Sequence, residues 1–199
     1  MIMKASGVIL AGGKSSRMQF NKAFARITAE TVIEILVKKF RVHFDETIII
    51  SNDPELYSEF GVNVYTDIFA RLGPVAGIHS ALSHANNDAV FLLGCDMPFI
   101  NMATVDYMLE KLNGHDTVVP EIKAHIQPTA AVYHRKSLPI FSRHLEENKL
   151  KLIWIFNELD ALVLNESQLK QFGQIEDIFF NINDQEALEK ARTMAGRLL

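Results

Sequence analysis

Ala89-Val90-Phe91-Leu92-Leu93-Gly94-Cys95-Asp96 is the stretch that decides how this chain folds. Five apolar residues in unbroken succession, with no polar alternation, describe a strand packed on both faces, the pattern of a parallel sheet flanked by helices. The run closes on a glycine and then a carboxylate. In open sheets of this kind, ligands bind beyond the carboxyl ends of the strands, so Asp96 stands where chemistry is expected. Downstream, Val105, Met108, Leu109 and Leu112 recur at helical spacing and Thr117-Val118-Val119 resumes as strand. Upstream, Gly73-Pro74 breaks the chain before a helix marked by Val75, Ile78 and Leu82.

The same alternation continues outward. Val62 to Tyr65 reads as strand, as does the β-branched Thr47-Ile48-Ile49-Ile50, which Ser51-Asn52-Asp53-Pro54 stops while opening a short helix. From Thr31, the residues Ile33, Leu36, Val37 and Phe40 share a helix face, and Ala5 to Leu10 is a first strand. The class is therefore α/β, with a mainly parallel sheet and helices on both faces. The second half is less regular. It predicts a strand over 129–133, a helix over 138–145, an amphipathic or buried segment over 150–159, a strand over 179–183, and a final helix carrying Leu188, Ala191, Ala195 and Leu198. No repeat, low-complexity tract or linker divides the 199 residues, so one domain is expected.

Composition sets the outer limits. Hydrophobic residues make up 48% and charged residues 22%, an ordinary balance for a folded domain. A formal net charge of -4 argues against a general binder of nucleic acid or anionic membranes, although a local basic loop can still meet phosphates. The single cysteine, Cys95, admits no intrachain disulfide and fits a reducing compartment. The apolar stretch at the N-terminus is too short to span a bilayer and lacks a signal-peptide core. A cytoplasmic setting is expected.

Gly12 and Gly13 follow the first strand, where absent Cβ atoms let backbone N–H groups approach a phosphate. Lys14, Arg17 and Lys22 add three cations within nine residues. A Gly-Gly pair alone is usually only a turn; strand, glycines, cations and helix together favour a phosphate loop. It is not the P-loop, whose spacing requires glycine at the position of Val8, and G-x-G-x-x-G is absent. Asp96 offers a hard oxygen donor for Mg²⁺, which takes one or two carboxylates plus phosphates and waters; the competing role is the N-cap of a helix beginning near Pro98 or Phe99. Asp67 is either a surface-loop residue or an acceptor for the N1–H and N2 amine of guanine. Asn52 is either a turn residue or a base or ribose contact. Cys95 has no basic partner in the neighbouring sequence and reads as a small buried residue. The seven histidines show no zinc-ligand spacing, and Trp154 and the phenylalanines read as core.

Leu10-Ala11-Gly12-Gly13-Lys14-Ser15-Ser16-Arg17-Met18, continued to Lys22, resembles the L-A-G-G-x-S-x-R-M-x-x-x-K signature of nucleotidyltransferases built on a Rossmann-like sheet. Asp67 before Gly73-Pro74-Val75-Ala76-Gly77-Ile78, then Gly94-Cys95-Asp96-Met97-Pro98-Phe99, and finally Asn181-Ile182-Asn183-Asp184-Gln185-Glu186 narrow the resemblance to the molybdenum cofactor guanylyltransferases. It implies transfer of GMP from GTP to molybdopterin or its molybdenum form. Leu10, Ala11, Gly12 and Gly13 would hold the nucleotide, and Arg17 and Lys22 the triphosphate. Asn52 and Asp67 would contact guanosine, and Asp96 the Mg²⁺. Asn181 and Asn183, with Lys149 and Lys151 as a split basic pair, would hold the acceptor. Residues 1–120 become the nucleotide part and 121–199 the acceptor part, with transient contact to other molybdenum cofactor proteins or a recipient molybdoenzyme. Gln19 and Gly94 depart from the family's usual glycine and proline. Alternatives are CTP in place of GTP, a sugar-phosphate acceptor, or a non-catalytic GTP-binding assembly protein.

Overall fold

The computed structural model describes residues 4–12 and 21–199. Strand β1 (Ala5–Leu10) is followed by helix α1 (Val32–His43), β2 (Glu46–Ile50), β3 (Asn63–Tyr65), α2 (Pro74–His84), β4 (Ala89–Gly94) and α3 (Met102–Lys111). Then come β5 (Thr117–Ile122), β6 (His125–Ile126), β7 (Ala130–His134), α4 (Leu138–Glu146), α5 (Leu152–Phe156), β8 (Ala161–Asn165), α6 (Glu166–Leu169), α7 (Ile175–Ile178) and α8 (Gln185–Leu198). Thr31 starts α1 with a capping box: its side chain accepts from the Glu34 amide, and the Glu34 carboxylate takes the Thr31 amide.

All eight strands belong to one sheet. β1 pairs in parallel with β2 on one side and β4 on the other, and β3 extends the parallel run beyond β2. β7 then lies antiparallel between β4 and β5. β6 pairs with the far end of β5, while β8 runs parallel along β5's other edge. Six strands thus share one direction and two oppose it, which keeps the sheet mainly parallel.

Alternate residues of each central strand enter different cores, which explains the unbroken apolar runs. Ile9, Ile49, Phe91 and Leu93 pack with α1, α3 and α8 on one face. Val8, Ile48, Ile50, Val90 and Leu92 pack with α2, α4 and α5 on the other.

Three expectations from the sequence change here. Residues 179–183 form no strand; they follow α7 as irregular chain, and the backbone tie that Ile182 makes is a single amide donated to the Asp96 carbonyl (2.9 Å). Trp154 is not core: α5 is one turn long and leaves its ring 42% exposed beneath the Lys151 ammonium. β6 and β8, both short, were not foreseen.

Gly7 allows β1 to lie against α1. A Cβ there would stand 2.7 Å from Phe40 Cδ2 and closer still to Phe44, inside van der Waals contact with two packed rings. Gly7→Ala is expected to cost about 1–3 kcal/mol through overpacking, read as a lowered midpoint of chemical denaturation; an unchanged midpoint would contradict this packing.

His79 is 5% exposed on α2, edge-on to Phe69. Ser142 on α4 donates its hydroxyl to the Leu138 carbonyl, so its oxygen accepts from His79 Nε2 (3.1 Å), and Nδ1 is left as a buried lone pair without a partner. Burial holds His79 below the usual imidazole range; His84 adds to that, and Glu146 opposes it. A depressed folded value means that the unfolded chain takes up the proton first. The stability His79 contributes is therefore complete above the unfolded value of about 6.5 and is lost as pH falls through the folded one. His79→Gln should flatten the fall of unfolding free energy between pH 7 and 5, measured by urea titration.

Candidate active site

Backbone hydrogen bonds continue past the strand ends and gather the loops there. The Cys95 amide donates to Leu10 O (3.0 Å), the Ala11 amide to Ile50 O (2.9 Å) and the Ser51 amide to Tyr65 O (2.9 Å). These loops wall a cleft of about 630 Å³, to which Leu10, Ala11, Gly12, Lys22, Asn52, Asp67 and Asp96 all contribute. Gly13 and Arg17, with Lys14 and Gln19, lie outside the described residues.

On one wall, Lys22 Nζ stands 3.6 Å from Asp96 Oδ2 and donates to Asn183 Oδ1 at 3.2 Å. Asp96 does not cap a helix: α3 begins at Met102, where Asn101 accepts the Thr104 amide at 2.8 Å. Burial lifts the Asp96 carboxyl above the ordinary carboxylate range, and the Lys22 ammonium draws it part of the way back. A carboxylate so placed gains from a second cation. Among the described residues, no three His, Cys, Asp or Glu side chains cluster as a metal centre. The donor set therefore fits an ion such as Mg²⁺, which uses a single protein carboxylate and takes its other ligands from phosphate and water.

The opposite wall carries Asn52 and Asp67, joined by Asn52 Nδ2 donating to Asp67 Oδ2 at 2.8 Å. That bond fixes the Asp67 carboxylate and leaves Oδ1 available as an acceptor. Cys95 is no nucleophile: burial and the Asp96 charge push its thiol up to about 12.

The C-terminal segment is drawn in as well. With Ile182 on the Asp96 carbonyl and Asn183 on Lys22, the Asn-Ile-Asn run is tied to the Asp96 wall of the cleft. Asn181 Oδ1 is buried without a partner. Lys149 and Lys151 do not line the cleft; Lys149 pairs with Glu147 at 2.7 Å and Lys151 lies over Trp154.

Sequence reasoning missed two supports. Tyr57, fully buried in the short helix Pro54–Phe60, donates its hydroxyl to Ala11 O (3.1 Å) and accepts from Asn21 Nδ2 (3.0 Å). It joins the described residues on either side of 13–20, and burial raises its hydroxyl to about 12, so it stays a donor. Lys39 of α1 donates to Pro98 O (3.1 Å) and Ile100 O (2.9 Å), bracing the loop after Asp96. No motif marks either residue, because each acts through backbone carbonyls far along the chain.

Residues 7–161 match the model of a family described as the MobA-like NTP transferase domain. The chain belongs to this family. Among the MobA-like relatives, a probable molybdenum cofactor guanylyltransferase of Clostridium perfringens is 39% identical over 185 residues, covering 92% of this chain and 93% of its own. A molybdenum cofactor guanylyltransferase of Desulfosudis oleivorans is 34% identical over 197 residues, 97% of this chain and 98% of its own. The crystal structure of molybdopterin-guanine dinucleotide biosynthesis protein A from Archaeoglobus fulgidus superposes with a TM-score of 0.86 over 96% of this chain and 99% of that one, at 22% identity. The two chains share one fold, a mixed sheet with a parallel core flanked by helices.

Tyr57→Phe removes the hydroxyl alone. One lost buried hydrogen bond costs about 1 kcal/mol, a shift of roughly 2–4 °C in melting temperature for a chain of this size. The KM for the nucleoside triphosphate should rise several-fold at similar kcat. An unchanged KM would remove Tyr57 from the support of the loop.

Proposed function

We propose that this chain transfers GMP from GTP to the terminal phosphate of molybdopterin, or of its molybdenum form, releasing pyrophosphate and leaving a guanine dinucleotide cofactor. One observation carries this beyond the general nucleotidyltransferase class: the Asn181-Ile182-Asn183 segment seats itself on Asp96 and Lys22, so the part of the chain assigned to the acceptor meets the part assigned to phosphate. The nearly full-length similarity to molybdenum cofactor guanylyltransferases supports the choice of substrates.

An oxygen of the acceptor phosphate attacks the α-phosphorus of GTP in line with the bridge to the β-phosphate. The new P–O bond forms as that bridge breaks, and pyrophosphate leaves with the electron pair. The acceptor is largely ionised near pH 7, with a second phosphate pKa of about 6, so no general base is required. What the protein supplies is alignment and charge. Lys22 leaves Asp96 for the triphosphate, to which Arg17 is also assigned. Asp96 would hold Mg²⁺, which would supply charge neutralisation for the phosphates when bound. Leu10, Ala11, Gly12 and Gly13 bind the nucleotide, and Asp67, steadied by Asn52, accepts from the guanine N1–H and N2 amine. Residues 1–120 are the nucleotide part in this assignment, and 121–199 present Asn181 and Asn183 to the acceptor. β7 runs back beside β4 to end at His134, opposite Ala89. α4 therefore starts at the end of the sheet away from Asp96, and Lys149 and Lys151, which follow it outside the cleft lining, are candidates for the acceptor's phosphate. A cytoplasmic setting and a handover to other molybdenum cofactor proteins or a molybdoenzyme complete the proposal. Among the described residues, no helix is long and apolar enough to cross a membrane.

The test is pyrophosphate release with GTP, CTP and ATP, each with and without molybdopterin. Turnover should require GTP and the pterin together, and Asp96→Asn should reduce it by about 10²-fold or more. Preference for CTP would reassign the base, and full turnover by the Asn variant would remove Asp96 from the metal.

A further inference from the structure

Arg71 lines the cleft on the wall of Asp67 and Gly73, and the chemistry above makes no use of it. Its backbone is left-handed, at φ 62°, a region that non-glycine residues avoid unless their surroundings hold them there. The surroundings do so. Asn52 ties Asp67, the Ile68 amide donates to Ser80 Oγ at 2.9 Å, and Phe69 meets His79 edge-on at 5.1 Å. Leu72 packs with Phe69 against the core on the α2 side. The turn is thus pinned on both flanks, and Arg71 is carried at its tip. Among the described residues, its guanidinium has neither a hydrogen-bond nor an ion-pair partner. In particular, it forms no ion pair with Asp67, although both charges face the same cleft.

We propose that Arg71 is a second base-reading residue, its guanidinium taking the O6 and N7 acceptors of guanine while Asp67 takes the N1–H and N2 amine. The inference rests on the guanylyl-transfer proposal above and extends it to specificity. Along its edge guanine presents two donors and then two acceptors. A carboxylate followed on one turn by a separated guanidinium presents the complement in the same order. Adenine offers a donor amine and a bare N1 in place of O6 and N1–H, so it opposes both charges at once. The planar fork of arginine matches O6 and N7 as a pair, which a lysine does not. Two opposite charges on one cleft wall that, among the described residues, do not pair with each other are what a base edge would meet.

Calorimetric titration of the full chain with GTP and with 7-deaza-GTP, both with Mg²⁺ and without any acceptor, tests this directly. Loss of N7 should weaken binding to the wild type by about tenfold or more. Arg71→Asn, whose side chain tolerates the left-handed backbone, should bind GTP about tenfold or more weakly and should no longer distinguish the two nucleotides. Arg71→Gly, unstrained at this φ, should behave the same way if the Asn variant folds poorly. An equal 7-deaza penalty in wild type and variants would overturn the inference. So would a loss of the same factor for both nucleotides on substitution, which would mark Arg71 as a phosphate contact. Failure of the wild type to bind GTP at all would instead fell the guanylyl-transfer proposal, and this inference with it.

Discussion

Parallel pairing of β1 with β2 and β4, carried one residue past the strands by the Cys95, Ala11 and Ser51 amides, is the constraint on which the rest depends. A parallel ladder places all its strand ends on one side. Each amide beyond the ladder then locks the next loop to its neighbour, so residues 10–12, 51–52 and 94–96 become adjacent chiefly through backbone bonds, to which Ser51 Oγ adds one donation to Ala11 O (3.4 Å). The cleft is a property of the sheet. The side chains in it are supported rather than self-assembled: Asn52 holds Asp67, Lys39 braces the carbonyls after Asp96, and Tyr57 spans from Ala11 to Asn21.

Electrostatics divides the cleft into two unlike walls. Around Asp96 a half-buried carboxylate faces Lys22, an arrangement that can exchange its internal cation for an incoming one and release the lysine toward anions. Around Asp67 the carboxylate is held by an amide donor and, among the described residues, has no cation paired to it. The same side-chain type thus sits in two unlike environments according to its partner, and the partner is set by which loop carries it.

Legibility in the sequence followed burial. β1, β2 and β4 were readable because both faces of each are covered, which removes polar residues from the run. α1 was readable because Ile33, Leu36, Val37 and Phe40 make a clean apolar stripe, and the structure adds a capping box at Thr31 and Glu34. The glycine loop, Asn52, Asp67 and Asp96 were visible because each stands just after a readable strand. β8 was missed because it is an edge strand whose register with β5 is decided by distant sequence, and only Leu164 of its five residues is buried. Residues 179–183 misled for the opposite reason: their composition suits a strand, but the chain there is held by the single Ile182 amide on the Asp96 carbonyl rather than by a ladder. Tyr57 and Arg71 carry no local signature, since one ties in through a single hydroxyl and the other is set at the cleft by an unusual backbone angle.

The antiparallel insertion of β7 has a mechanical meaning. Because it is laced between β4 and β5, the chain that bears Asp96 and the chain that follows residue 121 are woven into one continuous fabric. Swinging one against the other would mean tearing a ladder of backbone hydrogen bonds.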